Sequence, residues 1–409
     1  MPPMKICVVA STFPRTEDDP AVPWLRDELK RLKARGHDVR VFAPAFKGSP
    51  SHEIEGIPVH RFRYFFAFKE DLTHDSGAPT KIRRPDYLLL TLFYILAGTL
   101  SLTRWQRKER FDVLHIHWPF PHGLFGVTAA RFTPAPLVMS FHGAELLLAK
   151  KFPFVNPALR WFTRRAQAVT CNSSYTAAAI KKLGTCEVIV CPFGSPIPEH
   201  ATPLPTNTVK QILFVGRLIE RKGVEYLLRA LPLVQEQIPA QLVIVGNGVL
   251  LDTLKAQVVE MGLQDSVTFR VDIPESELME AYRQSDVFVL PAIVDSRGDT
   301  EGLGVVLIEA LSFRRPVVAS EVGGIVDVVQ HEKTGLLVPE KDPQALANAL
   351  ARVLADPALA QRLAEDGYAH VQEVFDWDRI LDDLEVLYQD ITSADTSGQT
   401  RDAARSRAA

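Results

Sequence analysis

The sequence predicts an α/β protein made of two doubly wound sheets in tandem. Three observations carry this. Residues 5–43 already hold a strand, a helix and a second strand, a βαβ unit that starts a parallel sheet with helices on its faces. The same alternation restarts after a proline-rich stretch near the midpoint. And 409 residues suffice for two domains, at ~100–200 residues each.

In order, residues 5–11 read as a short apolar strand ended by Thr12-Phe13-Pro14. Residues 22–34 form a charged amphipathic helix stopped at Gly36, and 37–43 the next strand. Such sheets hold ligands beyond the carboxyl ends of their strands, which makes 11–19 a site candidate. That loop has no glycine, so it is no dinucleotide fingerprint. Residues 47–80 are aromatic and irregular, an edge strand followed by a long loop. Residues 87–103 carry no charge and lie between Lys81, Arg83 and Arg84 on one side and Arg104, Arg107, Lys108 and Arg110 on the other. They fall just short of the ~20 residues that span a bilayer. Three readings stand: a buried helix, an interfacial helix held on anionic lipid by its basic flanks, and a true span.

Strands follow at 111–117, 137–141, 166–170 and 188–190, and each runs into polar residues or glycine: Trp118, His142-Gly143, Asn172, and Phe193-Gly194. His142 is the favoured histidine, because Gly143 frees the backbone beside it. Residues 196–208 hold four prolines and read as the linker, giving a first domain over 1–195 and a second over 209–375. In the second, strands fall at 211–215, 241–245, 267–269, 287–290, 317–319 and 335–338. Helices fill 224–235, 250–261, 275–284, 305–311 and 343–355. Asp376-Trp377-Asp378 starts a last helix over 376–391, and 392–409, small and polar, is expected to be disordered.

Composition narrows the partners. The net charge of −3 conceals a basic half, with 27 Lys/Arg against 17 Asp/Glu in 1–200, and an acidic one, with 19 against 32 in 201–409. No basic run interleaves with aromatics, so nucleic acid is not an expected partner. No short repeat points to a solenoid. Cys7, Cys171, Cys186 and Cys191 lack metal-ligand spacing and read as free thiols of a reducing compartment. The opening residues do not read as a signal peptide, so a cytoplasmic protein is expected, peripheral on the inner membrane face if 81–110 is interfacial.

Two stretches carry chemistry. Glu301-Gly302-Leu303-Gly304 is a loop opening an apolar helix at Val305, which aims backbone N–H groups at any anion placed there. Glu309 lies eight residues beyond Glu301, roughly 80° off its face on one continuous helix, so the two share a site only if Glu301 folds back on the loop. After the first strand of the second domain come Gly216-Arg217 and Lys222-Gly223. Arg supplies a planar fork and Lys a point charge, a pair suited to one diphosphate. No Asp-x-Asp pair follows a strand, so no obligatory metal or other cofactor is expected.

Gly216-Arg217…Lys222-Gly223, Val245-Gly-Asn247-Gly, Glu301-Gly-Leu-Gly…Glu309-Ala310, Val322-Gly-Gly and Thr334-Gly-Leu-Leu-Val-Pro339 together resemble the retaining GT-B glycosyltransferases of family four. Thr12-Phe-Pro-Arg15, Asp112-Val-Leu-His-Ile-His-Trp118, Phe141-His142-Gly143 and Pro192-Phe-Gly194 are similar more loosely. The resemblance implies two Rossmann-like domains facing each other across a cleft, with the last helix crossing back to the first. It assigns Arg217 and Lys222 to the diphosphate of a UDP- or GDP-sugar and Glu309 to the ribose. Glu301, Gly302, Leu303, Gly304 and Val305 fall to the sugar and phosphate, and Gly216, Asn247, Arg270 and Asp272 to the rest of the donor. His142 would contact the transferred sugar, while Phe13, Arg15, His117, Asn172, Phe193 and Gly194 would face a glycan or lipid-linked acceptor. Two departures affect the first domain: the glycine-free loop after the first strand, and Ser-Pro after Gly194. A nucleotide-sugar epimerase and an inactive nucleotide-sugar-binding subunit stand as alternatives. The first would need carboxylates where mainly His115, His117 and His142 are found; the second would show decay of Arg217, Lys222 or Glu309, and all three are present.

Overall fold

Fourteen strands form two separate sheets in the computed structural model, which describes residues 2–19, 21–73, 84–184, 187–194 and 203–396. Lys81, Arg83, Cys186, residues 196–202 of the expected linker and 397–409 of the expected tail lie outside the described residues. The chain divides into two units: Met1–Cys191 with Leu381–Ala409, and Pro192–Ile380.

The first unit is built on an eight-stranded sheet of order β3-β4-β2-β1-β5-β6-β7-β8. In chain order its strands are β1 Lys5–Val9, β2 Asp38–Pro44, β3 His52–Ile54, β4 Ile57–Phe62, β5 Val113–His117, β6 Leu137–Phe141, β7 Ala168–Cys171 and β8 Ile189–Val190. Neighbours are parallel except β3 and β4. Where one edge strand was expected after residue 47 there is a hairpin, because Glu55 and Gly56 both take positive φ, 47° and 75°, as a two-residue hairpin turn requires. Its second arm lies against β2.

The apolar segment becomes helix Pro85–Glu109, 25 residues rather than 17, since the flanking Arg and Lys are themselves good helix formers. It is neither wholly buried nor wholly exposed. Tyr87, Leu90, Tyr94, Gly98, Leu102 and Gln106 recur every three or four residues and are buried, while Leu88, Leu89, Leu92, Phe93, Leu96 and Leu100 face outward. Helix Pro119–Phe132, which packs along it, has no helical signal in its sequence. It opens Pro-Phe-Pro and contains two glycines, yet a Cβ at Gly126 would stand 2.8 Å from the Ile116 side chain. Close packing on β5 selects glycine there, so tertiary contact overrides propensity.

The second unit has a six-stranded, fully parallel sheet, β11-β10-β9-β12-β13-β14. Its strands are β9 Lys210–Val215, β10 Ala240–Val245, β11 Val267–Arg270, β12 Val287–Leu290, β13 Val317–Ser320 and β14 Leu336–Val338. Strand order reverses between β9 and β12, which makes the ends of those two strands the crevice of the sheet. In the first unit the reversal falls between β1 and β5.

Helices Ala144–Lys151, Val155–Thr163, Ser174–Lys181, Ile325–Val328 and Pro357–Val374 likewise fall outside the elements the sequence predicts. The last helix, Trp377–Thr396, begins where Asp376 Oδ1 accepts the N–H groups of Asp378 and Arg379 at 3.0 and 3.2 Å, the expected capping role. It runs through 392–396, where disorder was expected, and Thr392 Oγ1 donates to the Tyr388 carbonyl at 2.8 Å. From Leu381 on it belongs to the first unit, where Glu385 meets His37 at 2.8 Å and Arg35 at 3.0 Å.

Candidate functional site

At the reversal point of the second sheet, β9 ends in Gly216. The N–H groups of Gly216 and Leu218 donate to the carbonyls of Val245 and Asn247 at 3.0 and 2.8 Å, which ties the turn after β9 to the turn after β10. The chain then makes a short 3-10 turn, Glu220–Lys222, and Gly223 opens helix Val224–Gln235. This turn puts the Lys222 ammonium inside the protein, 2.5 Å from Glu301 Oε2. Arg221, not among the residues expected from the sequence, lies 3.5 Å from the same oxygen and 3.6 Å from Asp299, and donates to the Thr300 carbonyl at 3.0 Å. Arg217 is exposed and makes no ion pair or hydrogen bond among the described residues. Partial desolvation and the nearby Arg221 lower its pKa, against Glu301 and Asp299. Burial alone would raise the Glu301 carboxyl, but Lys222, Arg221 and Arg217 outweigh it and hold it below its ordinary value.

Glu301 reaches Lys222 because it is on the loop, as its spacing from Glu309 required. Gly304, at φ +90°, caps helix Val305–Ser312 in the left-handed region. The loop rests on Gly323-Gly324: a Cβ at Gly324 would stand 2.0 Å from the Gly302 carbonyl, and the Gly324 N–H donates to the Glu301 carbonyl at 2.9 Å. Leu303 points into the core, so only its backbone can serve a ligand, while Val305 is half-buried. On the helix, Glu309 accepts the Tyr282 hydroxyl at 2.7 Å; burial raises its pKa, and Tyr282 and Lys222 oppose that. Lys222 thus acts on both glutamates. Asn247, Arg270 and Asp272 stand at or just beyond the ends of β10 and β11, where Asn247 Nδ2 donates to Asp272 at 3.2 Å. Tyr282 and Asp299 carry no local signal in the sequence. Arg221 could have been found as the third charge of Glu220-Arg-Lys.

In the first unit, His142 Nε2 meets His117 Nδ1 at 3.0 Å, with the rings stacked 5.2 Å apart and 4° from parallel. Trp24 and Trp118 stand over His142 at 4.8 and 4.9 Å. Burial drives the His142 pKa down to about 3, so its ring is neutral at pH 7. The His142 N–H donates to Glu145 Oε2 at 3.3 Å, and burial pushes Glu145 up to about 7. Two of the other expected acceptor-side residues are turned inward. Phe13 has no accessible surface, and Asn172 is buried with Oδ1 accepting from Thr176 at 3.1 Å. Arg15 pairs with Asp19 at 2.5 Å. Phe193 and Gly194 belong to the second unit, where a Cβ at Gly194 would stand 2.5 Å from the Trp377 ring.

Glu28, His115 and His117 place possible metal-ligand atoms within 4.8 Å of one another. His115, however, uses both ring nitrogens, on the Tyr388 hydroxyl at 2.7 Å and Ser140 Oγ at 2.6 Å. Burial raises Glu28 to about 8, so at pH 7 it is uncharged. One free imidazole nitrogen and a neutral carboxyl do not make the three- or four-ligand set of a zinc centre.

Comparison with known proteins fits both halves of this arrangement. The family profile described as glycosyl transferases group 1 matches residues 198–370, and that of glycosyltransferase family 4 matches 24–194. An uncharacterised glycosyltransferase of Methanocaldococcus jannaschii is 35% identical over 94% of this chain and 98% of its own length. The chain belongs to glycosyltransferase family 4. It is therefore an enzyme of the glycosyl-transferring class, EC 2.4. Another relative, 29% identical over 84% of this chain and 88% of its own, is a GDP-mannose-dependent alpha-(1-6)-phosphatidylinositol monomannoside mannosyltransferase of Mycolicibacterium smegmatis. Among solved structures, sucrose-phosphate synthase from Thermosynechococcus elongatus superposes with a TM-score of 0.76 at 23% identity, over 96% of this chain and all of that one. An Anabaena protein solved with UDP and glucose follows at 0.68 and 20%, over 96% and 100%. The fold of this family 4 glycosyltransferase is GT-B.

Proposed function

We propose that this enzyme moves a hexose-type sugar from a UDP- or GDP-sugar to a glycan or lipid-linked acceptor, with retention at the anomeric carbon. The observation that carries the reading is the cluster at the reversal point of the second sheet. Three cations, Arg217, Arg221 and Lys222, converge there with the Glu301–Gly304 loop and the start of helix Val305–Ser312. As the bond from sugar C1 to the β-phosphate oxygen breaks, negative charge grows on the diphosphate. Fixed cations and N–H donors aimed there lower the barrier, each worth roughly 10²–10³ in rate. The acceptor hydroxyl attacks C1 from the same face and gives its proton to the departing phosphate oxygen, so no protein base is needed. Glu309, held by Tyr282, accepts ribose hydroxyls; Glu301 meets the sugar while fixing Lys222. The resemblance gives His142 a sugar contact, through a neutral ring whose Nε2 already meets His117 Nδ1 at 3.0 Å.

Arg217, Arg221 and Lys222 supply the charge that a divalent ion would otherwise bring, so turnover is expected to survive a chelator. The relative's phosphatidylinositol monomannoside acceptor and the outward Leu and Phe of helix Pro85–Glu109, flanked by exposed Arg84, Arg104, Arg107 and Lys108, support a peripheral position on an anionic membrane face. Melting shifts with UDP- and GDP-sugars identify the donor, because a ligand at 100 Kd adds about 2.7 kcal/mol. Product analysis then decides the reaction. A retained anomer joined to an acceptor supports transfer; a free, isomerised nucleotide sugar refutes it in favour of the epimerase.

A further inference from the structure

The first unit contains an apolar cavity of about 400 Å³ that the donor chemistry does not use. We propose that it binds the alkyl or prenyl chain of the acceptor, so that the acceptor is an amphiphile whose polar head lies beside Glu145 and His142. This rests on the transferase reading and names its acceptor class.

The volume is that of a small-molecule site. Leu88, Thr91 and Ile95 of helix Pro85–Glu109 line it, together with Phe120 and Leu148. Three polar side chains of the lining, Tyr94, His122 and Thr91, are already satisfied. Tyr94 hydroxyl meets His122 Nε2 at 2.8 Å, His122 Nδ1 meets the Trp118 carbonyl at 2.8 Å, and Thr91 Oγ1 donates to the Tyr87 carbonyl at 2.8 Å. A polar guest would gain no hydrogen bond from them, whereas a hydrocarbon loses nothing by entering.

Part of the lining is Ser11, Trp118 and Glu145, which follow β1, β5 and β6, where this kind of sheet meets its ligands. There Glu145 Oε1 is buried without a hydrogen-bond partner, while Oε2 accepts the His142 N–H. A buried oxygen in that state is costly, and a hydroxyl of the acceptor head would satisfy it. Leu88, also in the lining, is shared with the outward apolar strip of the same helix, where Leu92 and Leu96 are 56% and 61% exposed. A chain leaving a lipid layer in contact with that strip enters the cavity without crossing water. The continuity from strip to cavity favours a lipid chain over a compact apolar metabolite.

The test is calorimetric titration of the full-length protein with butyl, hexyl and octyl β-glucosides below their micelle concentrations. Each methylene buried should tighten binding about fourfold. Ile95→Phe and Leu148→Phe, which fill the cavity, should each flatten that dependence, while the melting shift with donor stays as in wild type. Binding that ignores chain length overturns the proposal. So does a chain-length dependence that survives both fillings but is lost in Leu92→Ser/Leu96→Ser, since the chain would then lie on the outer strip. Absence of any donor-induced shift would instead count against the transferase reading, separately from the cavity.

Discussion

Replacing Lys222 with Met separates the two roles that its ammonium combines. Lys222 and Glu301 are both buried, and their charges meet at 2.5 Å. Deleting one partner of such a pair costs roughly 3–5 kcal/mol, because the other charge stays in a poor solvent. Arg221 remains 3.5 Å from Glu301, which places Lys222→Met at the low end, about 3 kcal/mol. Glu301→Gln, leaving two cations together, should cost a similar amount. The double variant has no buried charge to strand, so it should lose less than either single variant, roughly 0–1 kcal/mol, rather than the additive ~6. Turnover should behave differently. Each single variant should lose ~10²–10³ in kcat, and the double variant should not recover it, because the charge on the departing diphosphate is still unmet. Urea midpoints at constant m, together with sugar transfer from the donor found in the melting screen, measure both. If the rate returns along with stability in the double variant, the pair is only a strut and the proposed mechanism fails.

Glu28→Gln tests the buried carboxyl of the first unit. An unfolded Glu releases its proton near 4.5 and this one near 8, so between those values the unfolded state binds fewer protons and stability falls as pH rises. The fall should total at most about 5 kcal/mol and vanish in the Gln variant; an unchanged slope in urea midpoints from pH 5 to 8 assigns it to other groups. Gly324→Ala drives a Cβ into the Gly302 carbonyl and should abolish the donor-induced melting shift while circular dichroism is retained. An intact shift would show that the loop does not hold the donor. Tyr282→Phe frees Glu309 and should raise the donor KM about tenfold with little change in kcat, one hydrogen bond to a charged group being worth about 1.5 kcal/mol. Equal loss in both kinetic constants would argue against a ribose contact.

Much of the second unit was legible in advance. Its strands fall within two residues of the expected positions, because each is a short apolar run bounded by polar residues or glycine. The Glu301–Gly304 loop was visible for the same local reason. The pairing of Lys222 with Glu301 was not, since 79 residues separate them and each motif by itself points only to a ligand. Phe13 and Asn172 stand in strand-end motifs and were read as acceptor contacts. The structure turns both inward, because the loop after β1 folds over Arg61, whose guanidinium donates to the Phe13 carbonyl at 2.8 Å, and Asn172 ties down a helix start.

By itself the sequence determined the alternation of elements, the reversal-prone loops at strand ends, and the family, since these reside in periodicity, turn residues and motif spacing. Only the tertiary structure decided which atoms meet. It paired Lys222 with Glu301, divided helix Pro85–Glu109 into a buried and an outward face, and left Glu145 Oε1 without a partner beside an apolar cavity. Those outcomes depend on strand order and on packing between segments far apart in the chain, and no local rule of propensity contains either.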